Sequence, residues 1–246
     1  MKRSSKEIKR ISRDILNDRY SVPMGAFVAA SFIPMAIEIP FSMSMGNTPT
    51  DSQLIITLIA EFLITLVSFV LGCGVSLLHL NMTRSYEFKL SQIFTPFRQR
   101  TEKYFGAGFL TALLFLLGCL PVFGGLLYFY FSNDSIPSRI VLVLTAVLSL
   151  VLCTYLLLTY QLVSMLLLDH PGFRVIDAFK ECRLLMKHNR RRLLYLLLSF
   201  LGWDALILCS FGLAALWIAP YKNQTFVIFY LDCTGELERI PVRSYR

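Results

Sequence analysis

Four ionisable residues stand inside long apolar runs of the sequence, where charged side chains are costly: Glu38, Glu61, Asp204 and Lys222. A charge at the centre of a membrane span costs about 2.5–3.5 kcal/mol on insertion scales, so such groups normally face a bundle interior and pair. If the apolar runs cross a bilayer in alternating directions, all four groups lie in its outer half at comparable depths. The sequence therefore predicts an intramembrane polar cluster.

Two interpretations of this cluster remain open. In the first, it is a structural network that fixes helix register, with Lys222 held by one or two carboxylates. In the second, the carboxylates line a polar cavity open to the outside and bind a cation, a proton or an amine-bearing solute. The second interpretation would make the protein a transporter or a channel-like protein.

A second set of candidate residues is cationic. The segment 173–191 places Ile176, Phe179 and Cys182 near one helical face and basic residues around it, which predicts an amphipathic cytoplasmic helix at the membrane interface. Beyond that plain structural role, the basic residues are candidates for binding anionic lipid headgroups or a partner protein. These candidates are Lys180, Arg183, Lys187, Arg190, Arg191 and Arg192.

Motifs for catalysis, metals and cofactors are missing from the sequence. The six cysteines show no Cys-x-x-Cys spacing, and the three histidines lack the spacing of metal ligands. No nucleophile elbow, phosphate-binding loop or dinucleotide fingerprint is present. We therefore expect no enzyme activity, no metal site and no cofactor.

The composition is that of an integral membrane protein. Hydrophobic residues make up 55% of the 246 residues, and the mean hydropathy is +0.60. Soluble domains are about 45–50% apolar. Membrane spans of about 20 residues and short connections account for nearly all of this length, which leaves no room for a soluble catalytic domain.

The basic residues predict how the chain crosses the membrane. All of the 24 Lys and Arg residues except Arg139 and Lys222 fall in four patches, within residues 2–19, 84–103, 174–192 and 239–246. Because positively charged loops stay in the cytoplasm, these patches are expected on the inner side. The net charge of +8 is thereby explained by topology, and no nucleic-acid partner is expected.

The number of spans depends on the last apolar region. Read as one span, it gives five crossings and an external C-terminus; read as two, it breaks near Ser210, Phe211 and Gly212 and gives six. Six crossings keep the basic tail inside and are our prediction. The spans are then 22–45, 54–80, 104–131, 140–168, 192–209 and 213–231, within a transmembrane domain of residues 21–232.

Both ends of the chain are predicted to be cytoplasmic, in a protein of the plasma membrane. Residues 1–20 carry Ile8, Ile11 and Leu16 at helical spacing among basic residues, which predicts a basic amphipathic helix able to lie among lipid headgroups. A cleaved signal peptide is disfavoured, because the charged stretch is too long and no cleavage site is evident. Residues 233–246 form the predicted cytoplasmic tail.

The chain resembles a bacterial integral membrane family catalogued as domain of unknown function number 975. The likeness lies in 178–187 (AFKECRLLMK), 199–203 (SFLGW) and 216–221 (LWIAPY), and in the basic helix at the start of the chain. Cys182, His188 and Asp204 depart from the pattern of the family. The family is distantly similar to the membrane part of some glycerophosphodiester phosphodiesterases. The resemblance implies a multi-pass membrane protein and transfers no activity.

The predicted fold is all-α: a polytopic transmembrane helix bundle of about six spans with interfacial amphipathic helices. The predicted function is that of a non-enzymatic membrane component that binds lipids or partner proteins through its basic cytoplasmic face. The expected partners are anionic lipid headgroups and, in addition, another membrane protein or a second copy of the chain. The transporter or channel-like function stays open as the alternative.

Overall fold

The computed structural model of the chain describes residues 3–44, 50–132 and 135–239. These residues form α-helices and short 3-10 turns, with no β-strand among them, so the predicted all-α fold is confirmed. Lys2, Met45 at the end of the first predicted span, and residues 240–246 of the predicted tail, with Arg243 and Arg246, lie outside the described residues.

The helices follow one another with short connections. The first six are α1 (Ser5–Leu16), α2 (Ser21–Ser44), α3 (Asp51–Thr83), α4 (Thr95–Arg98), α5 (Thr101–Phe131) and α6 (Ile136–Tyr160). The remaining five are α7 (Val163–Asp169), α8 (Val175–Met186), α9 (Arg190–Leu198), α10 (Leu201–Cys209) and α11 (Ala215–Thr234). Short 3-10 turns at Leu90–Phe94 and Glu236–Glu238 precede α4 and follow α11.

Within the described residues, five helical segments are long and apolar enough to cross a membrane. They are Ser21–Met43, Asp51–Thr83, Thr101–Phe131, Ile136–Asp169 and Arg190–Cys209. The fourth joins α6 to α7, and the fifth joins α9 to α10 across a break at Ser199 and Phe200. Large apolar side chains are exposed along these segments, as expected for helices that face lipid.

Helix α11 holds the sixth predicted span, residues 213–231, and differs from the other five. It carries Lys222, Gln224 and Asp232, and it is not among the segments apolar enough to cross a membrane. Residues 227–231 of α11 are buried, because Val227, Phe229 and their neighbours pack against α1, α2 and α3. Helix α11 is therefore the central helix of the bundle.

One end of the bundle, which we call the basic end, gathers the termini of several helices. It holds Arg3, Arg84, Lys103 and Arg192: Arg84 contacts the ends of α7 and α11, Lys103 donates a hydrogen bond to the Pro171 carbonyl, and Arg3 and Arg192 contact the end of α11. With 33 residues, α3 is about 50 Å long and exceeds the hydrocarbon thickness of about 30 Å. The excess length lets the helix extend into the packed basic end.

The N-terminal helix α1 packs on protein through its apolar stripe. Ile8, Ile11 and Leu16 are buried against α11 and α9. Lys9 Nζ donates a 2.8 Å hydrogen bond to the carbonyl oxygen of Ser199, at the break between α9 and α10, and lies 4.0 Å from the ring centroid of Phe200. The sequence predicted that this helix could lie among lipid headgroups, but its apolar stripe is covered by the bundle. An apolar stripe can be buried by protein as well as by lipid.

Candidate functional site

Helix α8 is fixed to the bundle by one apolar face. Ala178, Phe179, Cys182 and Met186 are buried, and the Phe179 ring lies 5.1 Å from that of Tyr160 at the end of α6. The Cys182 thiol donates a 3.2 Å hydrogen bond to the Thr159 carbonyl, and burial raises the pKa of this thiol to about 12. The alternation of apolar and basic residues in this segment therefore leaves the opposite face of α8 cationic and exposed.

The cationic face of α8 borders a groove against α6 and the start of α9. The groove has a volume of about 540 Å³ and is lined by Tyr155 of α6, by Lys180, Arg183, Leu184 and Lys187, and by Arg190. We call it the basic groove. Four of the six basic residues predicted to bind lipid headgroups thus meet in one concave site.

The four cations of the basic groove have no acidic partner in the described part of the chain. Among the described residues, no carboxylate lies within ion-pair distance of Lys180, Arg183, Lys187 or Arg190, and none lines the groove. The Arg190 guanidinium lies 4.5 Å from the ring centroid of Tyr155, and its Nε is buried without a hydrogen-bond partner in the same part of the chain. Like charges held together repel one another, so an anion would be stabilised in this groove.

The basic groove adjoins an apolar surface on α6. Leu144, Leu148 and Val151 precede Tyr155 at helical spacing, and all of them are exposed. A molecule bound in the groove would therefore contact basic side chains on one side and an apolar surface on the other. This combination matches the two parts of an anionic lipid.

The two remaining basic candidates have other places. Arg192 is directed to α11, where its Nη2 contacts the Asp232 carboxylate and donates a 2.8 Å hydrogen bond to the Arg3 carbonyl. Arg191 is exposed and does not line the basic groove. The single-residue spacing of Arg190, Arg191 and Arg192 turns them to different sides of α9.

The structure brings together two of the four predicted intramembrane ionisable groups, all of which are described. Lys222 Nζ lies 2.6 Å from Asp204 Oδ1, and the pair links α10 to α11. Glu38 and Glu61 are exposed on α2 and α3, and their carboxylates make no hydrogen bond or ion pair in the described part of the chain. The sequence prediction grouped these residues by their predicted depth in the bilayer. Contact also requires that their side chains point toward each other from neighbouring helices.

A second polar site at the basic end was not recognised in the sequence. Arg84 donates two hydrogen bonds to Asp169, at 2.7 and 2.8 Å, and two to Glu236, at 2.8 and 2.7 Å. The Tyr230 hydroxyl donates a 2.8 Å hydrogen bond to Asp169. The Arg84 junction, as we call these four residues, borders a cavity of about 550 Å³. The sequence did contain a signal for this site, because Arg84, Asp169 and Glu236 each follow a different apolar run and have opposite charges.

A buried polar chain connects α3 to α11 next to this junction. His79 Nδ1 donates to Gln224 Oε1 at 2.7 Å, and Gln224 Nε2 donates to Thr83 Oγ1 at 2.6 Å. All three side chains are buried, and His79 Nε2 has no hydrogen-bond partner within residues 3–44, 50–132 and 135–239. The polar residues in the middle of the sixth predicted span therefore serve contacts within the protein.

Comparisons with known proteins point to one family. A family model described as protein of unknown function (DUF975) matches residues 1–236 of the chain. No curated protein and no solved structure is detectably similar to the chain. These comparisons do not show the likeness to the membrane part of glycerophosphodiester phosphodiesterases.

Proposed function

The chain belongs to this family of unknown function, and we propose that it is a non-enzymatic membrane protein that binds anionic lipid headgroups in its basic groove. The observation that carries the proposal is the convergence of Lys180, Arg183, Lys187 and Arg190 on one groove without a carboxylate partner. Basic pockets beside transmembrane helices are suited to lipid phosphates.

The exposed surface of α6 supports a lipid over a soluble anion. A headgroup bound between α8 and Tyr155 would place its acyl chains along Val151, Leu148 and Leu144. Arg190 already stacks on Tyr155, and a planar guanidinium in this position presents its Nη groups to a phosphate. A soluble phosphate would use the cations and leave the neighbouring apolar surface uncovered.

We further propose that the protein lies in the plasma membrane. The basic end and both chain termini are then on the cytoplasmic side. Support comes from the positive-inside tendency and from the contacts of Arg3 with Asp232 and of Arg84 with Glu236. These contacts bring residues near both ends of the chain to the same end of the bundle. A fluorescent reporter fused to the C-terminus is expected to fold and fluoresce, whereas an alkaline phosphatase fused there is expected to be inactive. The opposite pair of results would contradict this orientation.

Lipid titration of the full chain in a nonionic detergent tests the proposed function. Native mass spectrometry would count bound molecules of phosphatidylglycerol and of phosphatidylcholine, a zwitterionic lipid without net charge that serves as the comparison. The Arg190→Gln variant is expected to bind phosphatidylglycerol about fivefold more weakly, because one cation near a lipid phosphate contributes about 1 kcal/mol. Its binding of phosphatidylcholine should not change.

Arg191→Gln is the matched control, because Arg191 is the next residue on α9, has the same charge and lies outside the groove. This variant is expected to bind phosphatidylglycerol like the unchanged protein. Equal losses in both variants, or no loss in either, would show that the groove is not the binding site.

A further inference from the structure

The cations of the basic groove form a row along α8. Lys180, Arg183 and Lys187 have i, i+3, i+7 spacing, which places them on one helical face. Lys187 follows the last residue of α8 and keeps helical dihedral angles, with φ −51° and ψ −41°. The row is therefore about 10 Å long from Lys180 to Lys187 at 1.5 Å per residue.

This row of cations is longer than one phosphate group. A single phosphate can contact the cations of about one helical turn, which leaves the other end of the row without an anion. Two phosphates joined by a three-carbon bridge extend along most of the row. Four cations without carboxylate partners also suit two negative charges better than one.

We propose that the basic groove selects lipids with two phosphates in one headgroup, as in diphosphatidylglycerol. One phosphate lies between Lys180 and Arg183, and the second lies between Lys187 and Arg190. This inference rests on the proposed function and specifies its ligand class.

The position of Arg190 supports a second phosphate site at the Lys187 end. The Tyr155 ring lies against the Arg190 guanidinium and limits the orientations that it can adopt. No carboxylate among the described residues pairs with this guanidinium, so its charge is available to a phosphate. Leu184 lies between the two ends of the row and is exposed, which provides apolar contact for the carbon bridge.

The test compares diphosphatidylglycerol with phosphatidylglycerol at equal phosphate concentration, using the full chain in nonionic detergent and native mass spectrometry. We expect diphosphatidylglycerol to bind at least about tenfold more tightly, since it engages about two more cations than one phosphate does. Lys180→Gln should reduce this preference about fivefold, because it weakens one of the two phosphate sites and leaves a single phosphate its contacts with Lys187 and Arg190. Phosphatidylglycerol binding by Lys180→Gln should therefore change by no more than about twofold, whereas Lys187→Gln, like Arg190→Gln, should weaken the binding of both lipids about fivefold.

Arg174→Gln is the control for the loss of one positive charge outside the groove. Arg174 precedes α8, pairs with Asp177 and does not line the groove, so its substitution should leave the preference unchanged. Equal affinity for the two lipids, or a preference that survives Lys180→Gln, would overturn the two-phosphate inference alone. Binding of both lipids that Arg190→Gln leaves unchanged would overturn the proposed function with it.

Discussion

Lys222 Nζ lies 2.6 Å from Asp204 Oδ1, and this ion pair joins α11 to a helix that has no buried residue of its own. Helix α10 extends from the bundle with Leu206 and Leu208 exposed. The pair therefore holds the loosely packed helix α10 to the central helix α11.

The Lys222–Asp204 pair is expected to contribute to folding and not to transport. Lys222→Met should destabilise the protein, because it leaves Asp204 without its partner. A double-mutant cycle with Asp204→Asn should give a coupling free energy of about 1 kcal/mol, measured by unfolding in detergent. Solute or ion flux in proteoliposomes that depended on Lys222 would support the transporter alternative instead.

The Arg84 junction predicts a large effect from one substitution. Arg84→Gln removes four hydrogen bonds and leaves the Asp169 and Glu236 carboxylates close together, partly buried and without a cation. We expect a loss of about 2 kcal/mol or more in the free energy of unfolding. Arg84→Lys should recover only part of this loss, because an ammonium group cannot form two paired contacts.

The control for Arg84 is Arg174, whose pair with Asp177 is exposed on the surface. Arg174→Gln should change the free energy of unfolding by less than about 0.5 kcal/mol. Equal effects of Arg84→Gln and Arg174→Gln would mean that the junction does not hold the helix ends.

Two glycines on α3 give a matched test of packing at the basic end. A Cβ atom on Gly74 would lie 2.1 Å from the backbone oxygen of Ile93, whereas a Cβ on Gly72 would have no atom within 4 Å. Gly74→Ala should cost about 1–3 kcal/mol, since the Ile93 backbone must move. Gly72→Ala should stabilise the helix by up to about 1 kcal/mol. Thermal unfolding of the two variants checks the prediction, and equal shifts would contradict the close approach.

The N-terminus of α1 predicts a dependence on pH. The Ser4 backbone N–H donates a 2.8 Å hydrogen bond to the Glu7 carboxylate and the Ser4 hydroxyl a 3.1 Å one, and these bonds lower the pKa of Glu7. A lowered pKa stabilises the folded helix end above the unfolded pKa of about 4.3, and this stabilisation is lost as the pH falls through the folded pKa.

Hydrogen exchange of a peptide from α1, corrected for intrinsic rates, measures this effect. Glu7→Ala should raise exchange at pH 7, where the ionised Glu7 caps the helix. The difference from the unchanged protein should shrink in acid, as the pH falls through the folded pKa of Glu7, which lies below its ordinary value. A difference that is the same at both pH values would contradict the role of the Glu7 charge.

Local patterns in the sequence were sufficient to predict a helix with an apolar face and basic residues around it, but not a groove lined by four of those residues. The alternation of Phe179 and Cys182 with Lys180 and Arg183 encodes both faces of α8, because helical geometry alone separates them. The pattern could not separate Arg190, which borders the groove, from Arg192. That difference depends on the position of Asp232, on a distant helix.

Contacts between distant segments account for what the sequence did not reveal. Gln224 and Thr225 lie within the sixth predicted span, but they are buried, and Gln224 is hydrogen-bonded to His79 and Thr83. Their pairing partners lie on α3 and cannot be identified from hydropathy. Similarly, Glu38 and Glu61 have predicted depths in the bilayer like that of Asp204, but hydropathy does not define the direction in which each helix points its side chains.

The lipids that co-purify with the protein provide the most direct test of the proposed basic groove. The full chain and a variant carrying Lys180→Gln, Arg183→Gln, Lys187→Gln and Arg190→Gln would be extracted in the same mild detergent. Lipid mass spectrometry would then measure the ratio of anionic to zwitterionic lipid retained by each. We predict that this ratio is several-fold lower in the variant, while Arg191→Gln matches the unchanged protein. An equal ratio in all three proteins would contradict the assignment of the groove as a site for lipid headgroups.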